Sequence, residues 1–247
     1  MILFSLLSLA GCGGHLTPKQ LLQLQAAEDR FEQSSKPTDF AAVAADYQQI
    51  IADGVRSGPL FYNLGNAYTK ANQRGHAIAA YRQAQRYLPA NPQLADSLSR
   101  AVGSAAAQQR SIWSYFFFWQ DWISYPGKFS LTTWIAAIAL LLGIIRIFDW
   151  RQRWAGRGGL VALLLAAAVG VSALYDWYRF DKCQHGVVVQ EATARKGNGD
   201  SYEPAFTKPL VDGTEFSVVE QRRDWIRVQL GEDASEGWLP ADSVVVY

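Results

Sequence analysis

The chain has 247 residues and a formal net charge of +1: room for one large domain or two small ones, and no global basic excess of the kind that nucleic-acid binding demands. Cys12 and Cys183, the only two cysteines, are too few and too far apart for a disulfide framework, and the lack of CxxC or His/Cys pairs at zinc spacing argues against a structural zinc site. Charge is uneven: residues 13–130 carry more Lys/Arg, residues 176–247 more Asp/Glu, but neither excess makes a field strong enough to name a ligand.

Residues 1–12 open on the apolar run Met1–Ala10. It is too short to span a bilayer, which needs roughly 20 residues, and has the size of a signal-peptide core. Leu9-Ala10-Gly11-Cys12 resembles the lipobox of bacterial lipoproteins, a likeness that implies lipidation of Cys12. No Lys or Arg precedes the run, which departs from that pattern. Two readings stay open: a start upstream of Met1, or Cys12 as an ordinary small residue.

Residues 17–110 are rich in Ala, Gln and Leu and poor in β-branched types, which favours helices. From Gly58, Phe61, Leu64-Gly65, Tyr68, Ala77, Tyr81, Ala84 and Pro89 fill a unit over 58–91. They resemble the tetratricopeptide (TPR) repeat, whose period is about 34 residues. Gly65 and Ala77 are small so that two helices can cross closely; Gln73-Arg74-Gly75 makes the turn, with Gly75 relieving the backbone, and His76 there is expected in solvent. Pro89 stops the second helix. A weaker copy places Phe40, Val43, Tyr47 and Ile50 one period earlier, behind a first helix at about Gln20–Phe31. Pro92–Gln109 is expected to cap the stack, because a repeat cannot bury its apolar face alone.

An aromatic segment at 113–129 leads into two apolar runs, 131–148 and 159–175. Each is about long enough to cross a hydrocarbon core of roughly 30 Å, and both lack acids, with Arg146 near one end. Seven of the nine tryptophans lie between Trp113 and Trp177, as in an interfacial belt. The connection 149–158 holds Arg151, Arg153 and Arg157. The positive-inside bias assigns it to the cytoplasm and sends both flanking regions to the other side. A cleaved N-terminal signal requires the same side for the repeats.

Residues 183–247 turn Val-rich, with short runs separated by Gly, Pro and Asp, which reads as small antiparallel β structure. Strands are expected at Val187–Gln190, Glu215–Glu220, Trp225–Leu230, Gly237–Leu239 and Val244–Tyr247, with Ala192–Pro209 as a long loop. Alternation puts Trp225 and Arg227 on one face and Ile226 and Val228 on the other. Gly237-Trp238-Leu239-Pro240, the following Ala241-Asp242-Ser243 and the closing strand resemble bacterial SH3-like domains. Trp225 and Trp238 suit an aromatic shelf, although Trp238 is the one expected in the core. The fold class is therefore a multidomain membrane protein: an all-α TPR solenoid, a two-helix transmembrane hairpin and a small all-β SH3-like barrel.

No catalytic constellation emerges. Cys183 and His185 would share a strand face, but no third group orients the histidine, and neither a phosphate-binding loop nor paired-carboxylate spacing is present. No catalytic activity, cofactor or metal is expected. Binding remains. Tyr62, Asn63, Asn66, Thr69 and Lys70 should face the groove of the repeat, where an Asn side chain can donate to and accept from an extended peptide backbone; a merely polar surface is the other reading of the asparagines. Trp225 and Arg227 mark the surface of the SH3-like part.

The order of signal, repeats, membrane hairpin and SH3-like tail, with FYNLGNAY and AIAAYRQAQRYLP in the repeat, resembles the TPR members of the bacterial aerotolerance-operon (Bat) proteins, the BatE-like group. That resemblance implies an inner-membrane scaffold with repeats and tail in the periplasm. It also implies envelope partners that carry von Willebrand A domains and, indirectly, a MoxR-type AAA+ ATPase. The alternative is a peptidoglycan- or envelope-ligand-binding module acting through the SH3-like domain.

Overall fold

The computed structural model describes residues 16–103, 123–148, 153–178, 183–231 and 235–247. The expected signal and lipobox at 1–12 and most of the aromatic segment at 113–129 lie outside these. The chain divides into two compact units: one holds the apolar helices, the other the N-terminal helices together with the C-terminal sheet.

Five helices form the N-terminal part: α1 (Pro18–Gln33), α2 (Pro37–Ala52), α3 (Gly58–Lys70), α4 (Arg74–Tyr87) and α5 (Pro92–Val102). Proline stands in the first turn of every one but α4, where its missing N–H costs nothing. Thr17, Ser57 and Asn91 cap α1, α3 and α5 by accepting from the backbone N–H three residues on. The extensive helix contacts run between neighbours in sequence, so the helices stack in order. Val43, Tyr47, Ile50, Leu64, Ala77, Ile78, Tyr81 and Leu94 are buried between them. At the α3–α4 crossing, a Cβ on Gly65 would stand 2.4 Å from the Tyr81 ring; only glycine lets that ring in. α5 ends at Val102, where Gly103 takes a φ of 94°, short of the expected Gln109; residues 104–110 lie outside the described residues.

Two apolar helices make the other unit, α6 (Tyr125–Phe148) and α7 (Arg153–Trp177). Each is long and apolar enough to cross a membrane. They start earlier than the apolar runs at 131 and 159, because Pro126 is tolerated in a first turn and the Gly-rich stretch after Arg153 is already helical. The expected connection 149–158 thus shrinks to 149–152, outside the described residues. The pair is antiparallel: Lys128 at the start of α6 is ion-paired with Asp176 at the end of α7, and Arg146 lies over Gly156. Small residues line the seam, with Ala166 and Ala173 buried, while Trp134, Leu140 and Ile147 point outward.

The C-terminal part is a five-stranded antiparallel sheet in the order β4-β3-β2-β1-β5. Its strands are β1 (His185–Val188), β2 (Glu215–Arg222), β3 (Trp225–Leu230), β4 (Ser235–Pro240) and β5 (Val244–Val246). Arg223-Asp224 joins β2 and β3 as a two-residue hairpin, with Arg223 at a φ of 48°. Val188, Ala194, Phe216, Ile226, Val228, Leu239 and Val244 form its core.

The sheet and the five helices share a boundary. β1 and β5 pack on α4. Val188 points into the sheet core, whereas Val187 on the other face of β1 joins the helical core, and both are fully buried. A strand covered on both faces has no polar side, hence the unbroken valine run. Gly75 belongs to this boundary and not to a strained turn: its N–H donates to Asp212 Oδ1 at 2.8 Å, and a Cβ there would lie 2.3 Å from the Val188 carbonyl. The positive φ of the α3–α4 turn falls instead on Asn72, at 60°. His76 is not fully solvated either: it packs on Tyr68 with ring centroids 5.0 Å apart, and burial pushes its pKa down against the opposing charge of Asp212.

Candidate functional site

A concave pocket opens on the helical part between α1, α2 and α3. Glu28, Phe31 and Glu32 of α1, Tyr47 of α2, and Asn63 and Asn66 of α3 line it. Each wall follows from helix periodicity. Glu28 and Glu32 are four residues apart and Asn63 and Asn66 three, so each pair presents two polar groups one turn apart on one face. Phe31 turns inward, edge-on to Phe40 at 5.2 Å. Tyr47 is buried; burial, then the charges of Glu28 and Asp46, push its hydroxyl up to about 12. It stays protonated, an O–H that can donate at physiological pH.

Asn66 is held in place. The Tyr81 hydroxyl donates to Asn66 Oδ1 at 2.9 Å and lies 3.0 Å from Thr69 Oγ1, which also donates to the Gly65 carbonyl at 2.9 Å. With its oxygen engaged, Asn66 keeps two N–H donors. Asn63 makes no side-chain hydrogen bond among the described residues and has donor and acceptor capacity to spare.

Of the five residues assigned to the groove from sequence, the structure brings Asn63 and Asn66 to the pocket and leaves three outside its lining. Tyr62 is half-buried against Tyr81, ring centroids 5.9 Å apart. Thr69 serves the Tyr81 network, and Lys70 is exposed at the end of α3. Sequence reasoning missed Glu28, Glu32 and the pocket side of Tyr47. The i,i+4 carboxylates facing away from the buried Ala27 were the available signal.

A second surface lies on the outer face of the sheet. Trp225 and Arg227 point outward as expected, with Ile226 and Val228 buried. Trp238 is not in the core: Gly237 and Leu239 are the inward residues of β4, leaving Trp238 half-exposed on the outer face. A Cβ on Gly237 would meet Ala194 and Ala205 at 3.0 and 3.2 Å, so only glycine fits beneath the long loop. Arg227 pairs directly across from Trp238, and the Arg222 guanidinium sits 5.7 Å from the Trp238 ring. Glu220 and Glu236 tie down these arginines. Beside them Asn198, Arg222, Arg223, Asp224 and Trp225 border a shallow depression. Cys183 is partly exposed and precedes β1, so it shares no strand with His185.

Residues 210–244, which run from just before β2 to the first residue of β5, match the family model of the bacterial dipeptidyl-peptidase SH3 domain. Neither a curated protein nor a solved structure matches the chain. The C-terminal sheet is thus similar to bacterial SH3 domains over the stretch that carries both tryptophans.

Proposed function

We propose that this protein is a membrane-anchored scaffold of the bacterial envelope whose helical groove grips a segment of a partner protein. α1–α5 are TPR-type repeats with a capping helix, and the sheet is a small SH3-like barrel. The observation that carries this reading is the pocket itself. Donor-rich asparagines of α3 face α1 across a concave floor of Tyr47 and Phe31, while α4, on the far side of α3, is occupied by the sheet. A helix stack with one face committed internally and one open is built to bind. α6 and α7 anchor it, and the arginines at 146–157 point their connection to the cytoplasm. Groove and sheet then lie in the periplasm, beyond the inner membrane. By the resemblance to the Bat aerotolerance proteins, the partners are envelope proteins with von Willebrand A domains and, indirectly, a MoxR-type ATPase. A photo-crosslinking amino acid in place of Lys70, exposed one turn beyond Asn66 on α3 and outside the pocket lining, should capture one such partner in living cells, and the adduct should disappear with Asn66→Ala. Adducts that are diffuse and insensitive to Asn63→Ala and Asn66→Ala would contradict the reading.

A second reading is supported by the SH3 match and the Trp225/Arg227/Trp238 face: the sheet binds peptidoglycan. Detergent-solubilised full chain should sediment with purified sacculi, and Trp225→Ala with Arg227→Ala should abolish it. The full chain is required, because β1 borrows Val187 burial from the helices. Absence of co-sedimentation disposes of this reading.

A further inference from the structure

We propose that the α1–α3 groove selects an extended segment bearing Lys or Arg, which rests on the reading of that groove as a peptide site. Its two walls differ in chemistry. The α3 wall offers amides, which suit the backbone of any extended chain and carry no charge preference. The α1 wall offers Glu28 and Glu32, acceptor-only groups that call for donors on the ligand. Among the described residues neither carboxylate has an ion-pair partner. Arg30, on the same helix, is committed to Asp46 and does not neutralise them. Between the walls, Phe31 and Tyr47 add two aromatic rings to the lining. A carboxylate pair and aromatic rings lining one pocket suit a side chain with an aliphatic stem and a cationic head. Burial is the main cause of the raised Tyr47 pKa, and the Glu28 and Asp46 charges add to it in the same direction. An acidic or C-terminal carboxylate ligand would meet repulsion from the α1 wall.

The test uses the full chain in lipid nanodiscs, panned against phage-displayed random decapeptides. Wild type, Asn63→Ala and the Glu28→Gln/Glu32→Gln double variant are compared. Asn63→Ala breaks no hydrogen bond of the fold, and both glutamates are exposed, so each variant should fold. Peptides retained by wild type and lost by Asn63→Ala should be enriched in Lys and Arg. The best of them should bind the double variant at least about fivefold more weakly, as for partly screened ion pairs. Asn63-dependent peptides with no basic enrichment, or indifferent to the glutamine variant, overturn the cationic preference and leave the groove standing. If no peptide depends on Asn63, both the preference and the groove reading fall.

Discussion

Arg82 and Glu215 form the polar centre of the boundary between helices and sheet. The guanidinium donates from Nε at 2.7 Å and from Nη2 at 3.0 Å to the two carboxylate oxygens, and the Tyr247 hydroxyl donates at 2.9 Å. Burial works against the Glu215 charge, but the Arg82 hydrogen bonds and charge, with Tyr247, outweigh it and hold the carboxyl below its ordinary pKa. A carboxylate with a depressed folded value stabilises above its unfolded pKa and stops doing so as pH falls through the folded value. Thermal stability should therefore drop on acidification through and below the ordinary carboxylate range, and Glu215→Gln should remove part of that slope, as read by melting curves at stepped pH. Arg82→Ala leaves a half-buried carboxylate with one fewer partner and should cost about 2 kcal/mol in denaturant unfolding. Gly75→Ala should weaken the same boundary, because the new methyl meets the Val188 carbonyl; increased protease sensitivity with retained helical circular dichroism is the expected signature. Gly75 shows the limit of sequence reasoning at this scale. Its place in a repeat pattern explained it well enough as a turn residue, and nothing local revealed a strand more than a hundred residues away.

At the scale of elements, the helices were readable from the Ala/Gln/Leu composition and the repeat spacing from Gly58; the structure adds their starts, with Pro18, Pro37, Pro59 and Pro92 in first turns and Thr17, Ser57 and Asn91 as caps. Strand β3 was equally plain, since Ile226 and Val228 alternate with Trp225 and Arg227. Strand β4 was not: a tryptophan attracts a core assignment by its size, but Gly237 and Leu239 take the inward positions under the long loop. The apolar helices carry one feature that hydropathy does not show. Lys128 and Asp176 lie at the ends of α6 and α7 and form a buried ion pair across the seam. Removing one charge strands the other in a poorly hydrated place. Lys128→Met should lower the melting temperature of the detergent-solubilised protein, and adding Asp176→Leu should restore it. Equal destabilisation by the single and double variants would show that the pair does not set the register of the hairpin.

For the molecule as a whole, the decisive feature is that segments on either side of the apolar helix pair complete one another. Residues 18–102 and 185–246 share a hydrophobic boundary at Val187, Val189, Val245 and Tyr247. Burying Val187 there is worth about 2 kcal/mol, before the Arg82–Glu215 contacts. This closure was hidden in the sequence, because it depends on which face of β1 meets α4; the unbroken run Val187-Val188-Val189 was its only trace. The groove was half legible. Asn63 and Asn66 come from the repeat that matches its pattern well, while Glu28 and Glu32 come from the copy whose pattern is degenerate, where periodicity alone did not single them out.

Two helices long and apolar enough to cross a membrane lie between segments that fold together, and the proposed anchoring requires both segments on one side of the bilayer. The most direct check replaces Lys70 and Val219, both exposed, singly by cysteine in a cysteine-free chain, and treats intact spheroplasts with a membrane-impermeant maleimide. Labelling of both positions before lysis is the result expected for an extracytoplasmic groove and sheet. Labelling of one position before lysis and of the other only after it would contradict the shared body on which the scaffold depends.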